Sequence, residues 1–107
     1  MTISLITGGA GFIGSNLADK LIKIKHKVIV LDNLSTGRLS NLQKSKNKII
    51  FKKIDLYKDK DKISKIFKRY KINYVFHLAG LADIVPSIIN PKNYFNSNVI
   101  GTLNILE

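Results

Sequence analysis

Three glycines and one carboxylate carry the clearest chemistry in this sequence. In Thr7-Gly8-Gly9-Ala10-Gly11-Phe12-Ile13-Gly14, the residues Gly8, Gly11 and Gly14 fall at the spacing G-x-x-G-x-x-G. Each has a physical reason to lack a side chain: Gly8 for a tight turn from strand into helix, Gly11 for close approach of a pyrophosphate, Gly14 for packing of the helix on the sheet. A phosphate on such a loop takes hydrogen bonds from free backbone N–H groups and sits at the positive end of the helix dipole. Asp32, 18 residues after Gly14, is placed to accept hydrogen bonds from the adenosine ribose hydroxyls. A carboxylate there repels a 2′-phosphate, so the two features together point to a dinucleotide and favour NAD over NADP. Arg38 is the dissenting signal, because an arginine near the ribose accepts a 2′-phosphate, although a loop arginine is more often simply solvated. Glycines also occur in ordinary strand-to-helix turns, so the loop draws its meaning from its context.

That context is an alternation of strands and helices. Ile3 to Thr7 is a short apolar run stopping at Gly8, as a buried parallel strand would. Residues 12 to 25 switch to helical period, with Ile13, Leu17, Leu21 and Ile24 on one stripe. Lys27 to Asp32 holds four consecutive aliphatics, the pattern of a strand covered on both faces. A polar segment from Asn33 to Asn47 follows, with one short helical turn expected near Leu39 to Gln43. Ile49 to Ile54 reads as a third strand, flanked by lysines and hence near an edge. Asp59 to Tyr70 reads as a helix, Tyr74 to Leu78 as a fourth strand, and Asn90-Pro91 as the start of a helix running to the end. Short connections in this order predict the α/β class: a Rossmann-like parallel sheet with helices on both faces, wound right-handed, its four strands ordered 3-2-1-4.

Composition narrows the choice. With 107 residues and 45% hydrophobic content there is room for one core. Cysteine is absent, which excludes a disulfide framework, a thiolate nucleophile and a Cys-ligated metal, and fits a reducing, cytoplasmic setting. No apolar run approaches the roughly 18–20 residues of a membrane span, and the N-terminus does not read as a signal peptide. The formal net charge is +11, and the stretch Lys44 to Lys71 holds 12 basic residues against three acids, a local excess of 12 − 3 = +9. It could be a nucleic-acid footprint, but its aromatics are not interleaved at a spacing that would build a base-stacking platform, so a solvated lysine-rich surface outranks that reading. His77 lies in an apolar strand and reads as a hydrogen-bonded core residue, His26 as a solvent-facing residue near a helix end, and the four tyrosines as packing residues.

TGGAGFIGSNLADKLI, VIVLDNLSTG, the pair Asp55-Leu56, VFHLAG and NPKNYFNSNVIGTLNILE, in that order, resemble the N-terminal part of the extended short-chain dehydrogenase/reductases. The nearest group is the NAD-dependent sugar-nucleotide epimerases and dehydratases of the UDP-glucose 4-epimerase type. The resemblance implies that Phe12 and Ile13 border the pyrophosphate and that Asp32, Asn33, Ser35, Thr36 and Gly37 surround the adenosine ribose. It implies that Asp55 accepts a hydrogen bond from the adenine amino group, with Leu56 beside the ring. Leu78, Ala79, Gly80 and Leu81 would line the path toward the nicotinamide ribose, Ser97 or Asn98 would complete the cofactor contacts, and Ser87 would lie where relatives begin to meet substrate. Ala82 stands where some epimerases place a lysine, which weakens any claim to galactose specificity.

Members of this family abstract a proton from a sugar hydroxyl with a tyrosinate from a Tyr-x-x-x-Lys pair, while a hydride passes to the nicotinamide. The residues four places after Tyr57, Tyr70, Tyr74 and Tyr94 are Asp61, Tyr74, Leu78 and Asn98, so the pair is not in this sequence. No catalytic residue and no metal ligand is therefore assigned. The sequence also stops at Leu106-Glu107 inside an apolar-periodic stretch. The expectation is a partial NAD-binding Rossmann domain over residues 1–107, with the substrate-binding domain absent, from a longer enzyme that is a homodimer and takes a nucleotide sugar. Two alternatives stand beside it: a non-catalytic dinucleotide-binding module, and a small basic nucleic-acid binder.

Overall fold

Val28, Ile29 and Val30 are fully buried and Leu31 is nearly so, the environment that four consecutive aliphatics demand of a strand covered on both faces. In the computed structural model, which describes residues 2–34, 37–45, 47–79 and Ile105, they form the middle of β2 (Lys27–Asp32). The strand β1 (Ile3–Thr7) lies beside β2, and β3 (Ile49–Lys53) and β4 (Tyr74–His77) complete a parallel sheet of order β3-β2-β1-β4. The predicted order and the edge position of the lysine-flanked strand are both observed.

Right-handed crossovers decide which face each helix covers. The steps from β1 to β2 and from β2 to β3 run in one direction, so α1 (Phe12–Lys23) and the 3-10 helix η1 (Leu39–Ser45) share a face. There Ile6, Val28 and Val30 meet Ala10, Ala18, Leu21 and Leu42. The step from β3 to β4 runs back across the sheet, which puts α2 (Lys60–Arg69) on the opposite face. Leu5, Ile29 and Leu31 there pack with Ile54, Leu56, Ile63 and Ile66, and Ile105 packs partly buried against the same cluster. The two faces follow the strand alternation: register partners Leu5 and Ile29 point one way, Ile6 and Val30 the other.

Two local features depart from the sequence reading. The first helix ends at Lys23 rather than running to residue 25, because Lys25 takes a left-handed conformation (φ 69°). Its N–H donates to the Ile22 carbonyl and that of His26 to the Leu21 carbonyl, which closes the helix with a Schellman motif that lacks the usual glycine. His26, read as solvent-facing, is instead hydrogen-bonded through Nδ1 to the Ser4 hydroxyl at 2.8 Å and stacked on Tyr74, with ring centroids 6.1 Å apart. The helix predicted from Asn90 lies outside the described residues apart from Ile105, which is helical.

Candidate functional site

Parallel register brings the C-terminal ends of three strands level: Thr7 pairs with Leu31 on one side and with His77 on the other. Between β1 and β4 the direction of the crossovers reverses, and in such sheets the crevice for a ligand opens at that switch point, outside the carboxyl ends of the strands. The glycine loop occupies this place.

Gly8 turns the chain with a left-handed φ of 71°, and a Cβ there would lie 2.8 Å from the Ala79 nitrogen, so the loop and the end of β4 are in backbone contact. Gly14 brings α1 down onto the loop; a Cβ on it would collide with the Gly8 carbonyl oxygen and lie 2.7 Å from the Gly9 Cα. Gly11 is different. Its backbone is extended (φ −77°, ψ 175°), and among the described residues a Cβ would meet only the Gly8 carbonyl oxygen, at 3.3 Å. Contacts within the chain thus explain the first and third glycines, and among the described residues open space lies beside the second.

The start of α1 is uncapped. Gly11 at the N-cap has no side chain to offer, there is no acid in the first turn, and Ser15 is the first residue whose N–H finds the Gly11 carbonyl (2.9 Å). The N–H groups of Phe12, Ile13 and Gly14 are left at the positive helix end, next to the gap at Gly11. Phe12 and Ile13 expose 80% and 71% of their surface, leaving two large apolar side chains at the rim.

Asp32 is 8% exposed at the end of β2. Its Oδ2 accepts the Ala10 N–H at 3.0 Å and its Oδ1 the Leu34 N–H at 2.7 Å, with Leu34 in a left-handed conformation (φ 63°). Each carboxylate oxygen keeps a second acceptor direction. Gly37 closes against the group, since a Cβ on it would lie 2.8 Å from Oδ2. Asn33 is exposed beside it, and the Arg38 side chain is exposed further on while its N–H donates to the Ala10 carbonyl. Asp55 uses Oδ1 to accept the N–H groups of Tyr57 and Lys58, at 2.9 and 3.2 Å. Leu56 turns its side chain into the core below α2, so only its backbone is near the surface. Leu78 is exposed and Ala79 half-buried at the end of β4. Ser35, Thr36, Gly80, Leu81, Ser87, Ser97 and Asn98 lie outside the described residues.

His77 faces Thr7 across the β1–β4 pair, its Nδ1 2.6 Å from the Thr7 hydroxyl, which also accepts the Ala79 N–H at 3.2 Å. Burial lowers the imidazole pKa from its ordinary 6.5. The folded chain therefore resists protonation while the unfolded chain takes up a proton near pH 6.5, so this contribution is intact above that pH and is lost as pH falls toward the folded-state value. Urea unfolding between pH 7.5 and 5 should show falling stability, and His77→Gln should flatten the decline; an unchanged slope in the variant would assign it to other groups.

Sequence reasoning missed the role of Ala10, whose N–H and C=O are both tied down, and of Asn41, whose Nδ2 donates to the Ala10 carbonyl at 2.8 Å. Neither residue type advertises such a contact. Among the described residues no group of three His, Cys, Asp or Glu side chains could hold a metal, and no helix is long and apolar enough to cross a membrane. The cations of the lysine-rich stretch include Lys52, Lys53, Lys62, Lys65 and Arg69, which line a groove between β3 and α2, apart from the glycine loop.

A family model described as GDP-mannose 4,6 dehydratase matches residues 5–107. A putative UDP-glucose 4-epimerase of Methanocaldococcus jannaschii is 45% identical over 96% of this chain and 32% of its own length. A UDP-glucose 4-epimerase structure from Thermotoga maritima with UDP-glucose superposes with a TM-score of 0.91 at 40% identity, covering 98% of this chain and 33% of that one. That of Thermus thermophilus, a complex with NAD, gives 0.87 at 37% identity over 98% and 32%. The chain thus spans about a third of the length of the relatives it matches. A parallel sheet of order 3-2-1-4, a glycine loop at its switch point and a family match over nearly every residue agree, and the chain belongs to the GDP-mannose 4,6 dehydratase family, within the epimerase/dehydratase group of the extended short-chain dehydrogenase/reductases.

Proposed function

We propose that this chain binds NAD and forms the cofactor-binding part of a sugar-nucleotide epimerase or dehydratase. The observation that carries the reading is the uncapped start of α1 beside the open space at Gly11, with the Asp32 carboxylate one strand away. A pyrophosphate fits there: it meets three N–H donors with no competing acceptor among the described residues, the positive end of a helix, and a backbone with no methyl group in its way. The adenosine ribose hydroxyls donate to the free acceptor directions of Asp32, whose charge disfavours a 2′-phosphate. Asp55 accepts the adenine amino group through Oδ2, since Oδ1 is taken by its own turn. Leu56 borders the adenine through its backbone, and Phe12 and Ile13 shield the pyrophosphate from water.

When bound, NAD would supply a nicotinamide able to accept a hydride from the sugar and return it. Leu78 and Ala79 line its approach at the mouth between β1 and β4; the resemblance alone adds Gly80, Leu81, Ser97 and Asn98 as cofactor contacts and Ser87 as a substrate contact. Proton abstraction falls to a Tyr-x-x-x-Lys pair that this sequence does not contain, so the contribution of these residues is to hold and orient the cofactor. The similarity to epimerases supports a nucleotide sugar as the substrate class of the whole protein.

Calorimetric titration of the chain tests the reading. NAD should bind at least tenfold more tightly than NADP, because the 2′-phosphate brings a second anion against a nearly buried carboxylate. Equal affinity for the two, or binding of neither, would sink the proposal.

A further inference from the structure

We infer that Asn41 is a positioning residue for the pyrophosphate, acting through the carbonyl of Ala10; the inference rests on the proposed NAD site. Ala10 is fully buried between Gly9 and Gly11, and three hydrogen bonds hold its own N–H and C=O. Its N–H donates to Asp32 Oδ2 at 3.0 Å, and its C=O accepts from the Arg38 N–H at 3.0 Å and from Asn41 Nδ2 at 2.8 Å.

The orientation of that carbonyl matters because of what lies on either side. A peptide plane flanked by glycine turns with little steric resistance, and a flipped Ala10–Gly11 plane would reverse the carbonyl and the Gly11 N–H together. The Gly11 N–H now donates to the Gly8 carbonyl at 3.1 Å, which closes the loop. Turned over, the plane would break that bond and aim a carbonyl dipole away from η1. The reversed carbonyl would face the Gly8 carbonyl oxygen, two acceptors opposed, so the loop that sets the start of α1 and its free N–H groups would open. The two donors to the Ala10 carbonyl hold the plane in the receptive orientation.

Of those two donors, only Asn41 is a choice made by the sequence, since the Arg38 N–H is backbone. Its delivery is rigid. Asn41 lies in η1, its own N–H donates to the Arg38 carbonyl at 3.0 Å, and its neighbour Leu42 is 2% exposed in the core beside Ala10. The Asn41 side chain reaches the loop across 31 residues of sequence, which couples η1 to the pyrophosphate site without touching the ligand.

The test compares ligands with and without a pyrophosphate on the wild-type chain and two variants. Asn41→Ala should weaken NAD and ADP-ribose by about fivefold to tenfold, the size of one lost hydrogen bond. Adenosine, followed by chemical-shift titration, should bind wild type and variant alike, which a general loosening of the fold would not allow. Asn41→Asp, equal in shape but acceptor-only, should lose at least as much as alanine because two oxygens then face each other. Unchanged NAD binding in Asn41→Ala, or an equal loss for adenosine, would overturn the role of Asn41 and leave the NAD site standing. Failure of the wild type to bind NAD and ADP-ribose would overturn both.

Discussion

A methyl group at Gly14 is expected to disrupt the fold, whereas the same methyl at Gly11 should leave the fold intact and remove NAD binding. The Gly14 Cβ would collide with the Gly8 carbonyl oxygen and lie 2.7 Å from the Gly9 Cα and 3.1 Å from the Gly8 carbonyl carbon. All three are backbone atoms of the loop, so relief requires α1 to lift from the sheet, and Ala18 and Leu21 on the same helix lose core contacts with Ile6 and Val28. Overpacking costs about 1–3 kcal/mol even where side chains can yield, and here they cannot. Gly14→Ala should therefore sit at the top of that range, lowering Tm by on the order of 10–20 °C for a domain of this size. Gly11→Ala adds a methyl to an extended backbone with a single neighbour among the described residues, at 3.3 Å, so its stability should change by less than about 1 kcal/mol. The methyl then fills the space beside the free N–H groups of α1, and NAD affinity should drop at least tenfold. Thermal unfolding and titration of the two variants together make the check: a folded Gly11→Ala that still binds NAD would contradict the assignment of the gap to the pyrophosphate.

These two glycines show where the sequence was legible. The spacing of the three glycines gives them three tasks, and the distances among the described residues separate them in the same way: Gly8 needs its left-handed turn, Gly14 needs contact, and Gly11 has room. Strand order was legible because consecutive aliphatics in β2 and lysines flanking β3 report burial on both faces and an edge respectively, and handedness then fixes the rest. Other features left no trace in residue type. Lys25 ends α1 in a conformation for which glycine is the usual signal, and the helix stripe continues through Ile24, so periodicity overran the end. His26 follows that turn and is drawn back to Ser4 and Tyr74, partners set by strand register and not by neighbours in sequence. Asn41 and Ala10 meet only because η1 packs on α1, a tertiary event that no local pattern encodes.

Removing the Asp32 carboxylate is expected to have two separable effects, because the group serves both the chain and the ligand. Its oxygens accept the N–H groups of Ala10 and Leu34, at 3.0 and 2.7 Å, in a position 8% exposed. Asp32→Ala leaves the Ala10 N–H without an acceptor among the described residues, and an unsatisfied buried donor costs about 1–3 kcal/mol. Ala10 is then held by its carbonyl without its N–H bond, so the pyrophosphate site loosens together with the ribose site. Hydrogen bonds to a charged group are worth about 1.5–3 kcal/mol each, and NAD affinity should fall by about tenfold to a hundredfold. Asp32→Asn separates the two roles. Its one remaining oxygen can still take the Ala10 N–H, so stability should recover most of the loss, while its amide turns a donor toward either the Leu34 N–H or the ribose. The negative charge that disfavours a 2′-phosphate is gone as well, so the preference for NAD over NADP should shrink toward parity, with the nearby cation of Arg38 available to the added phosphate. Calorimetric titration with both dinucleotides, alongside urea unfolding of the same samples, reads each effect independently. An Asp32→Asn chain that keeps full discrimination against NADP would show that the charge of this carboxylate does not set the cofactor preference.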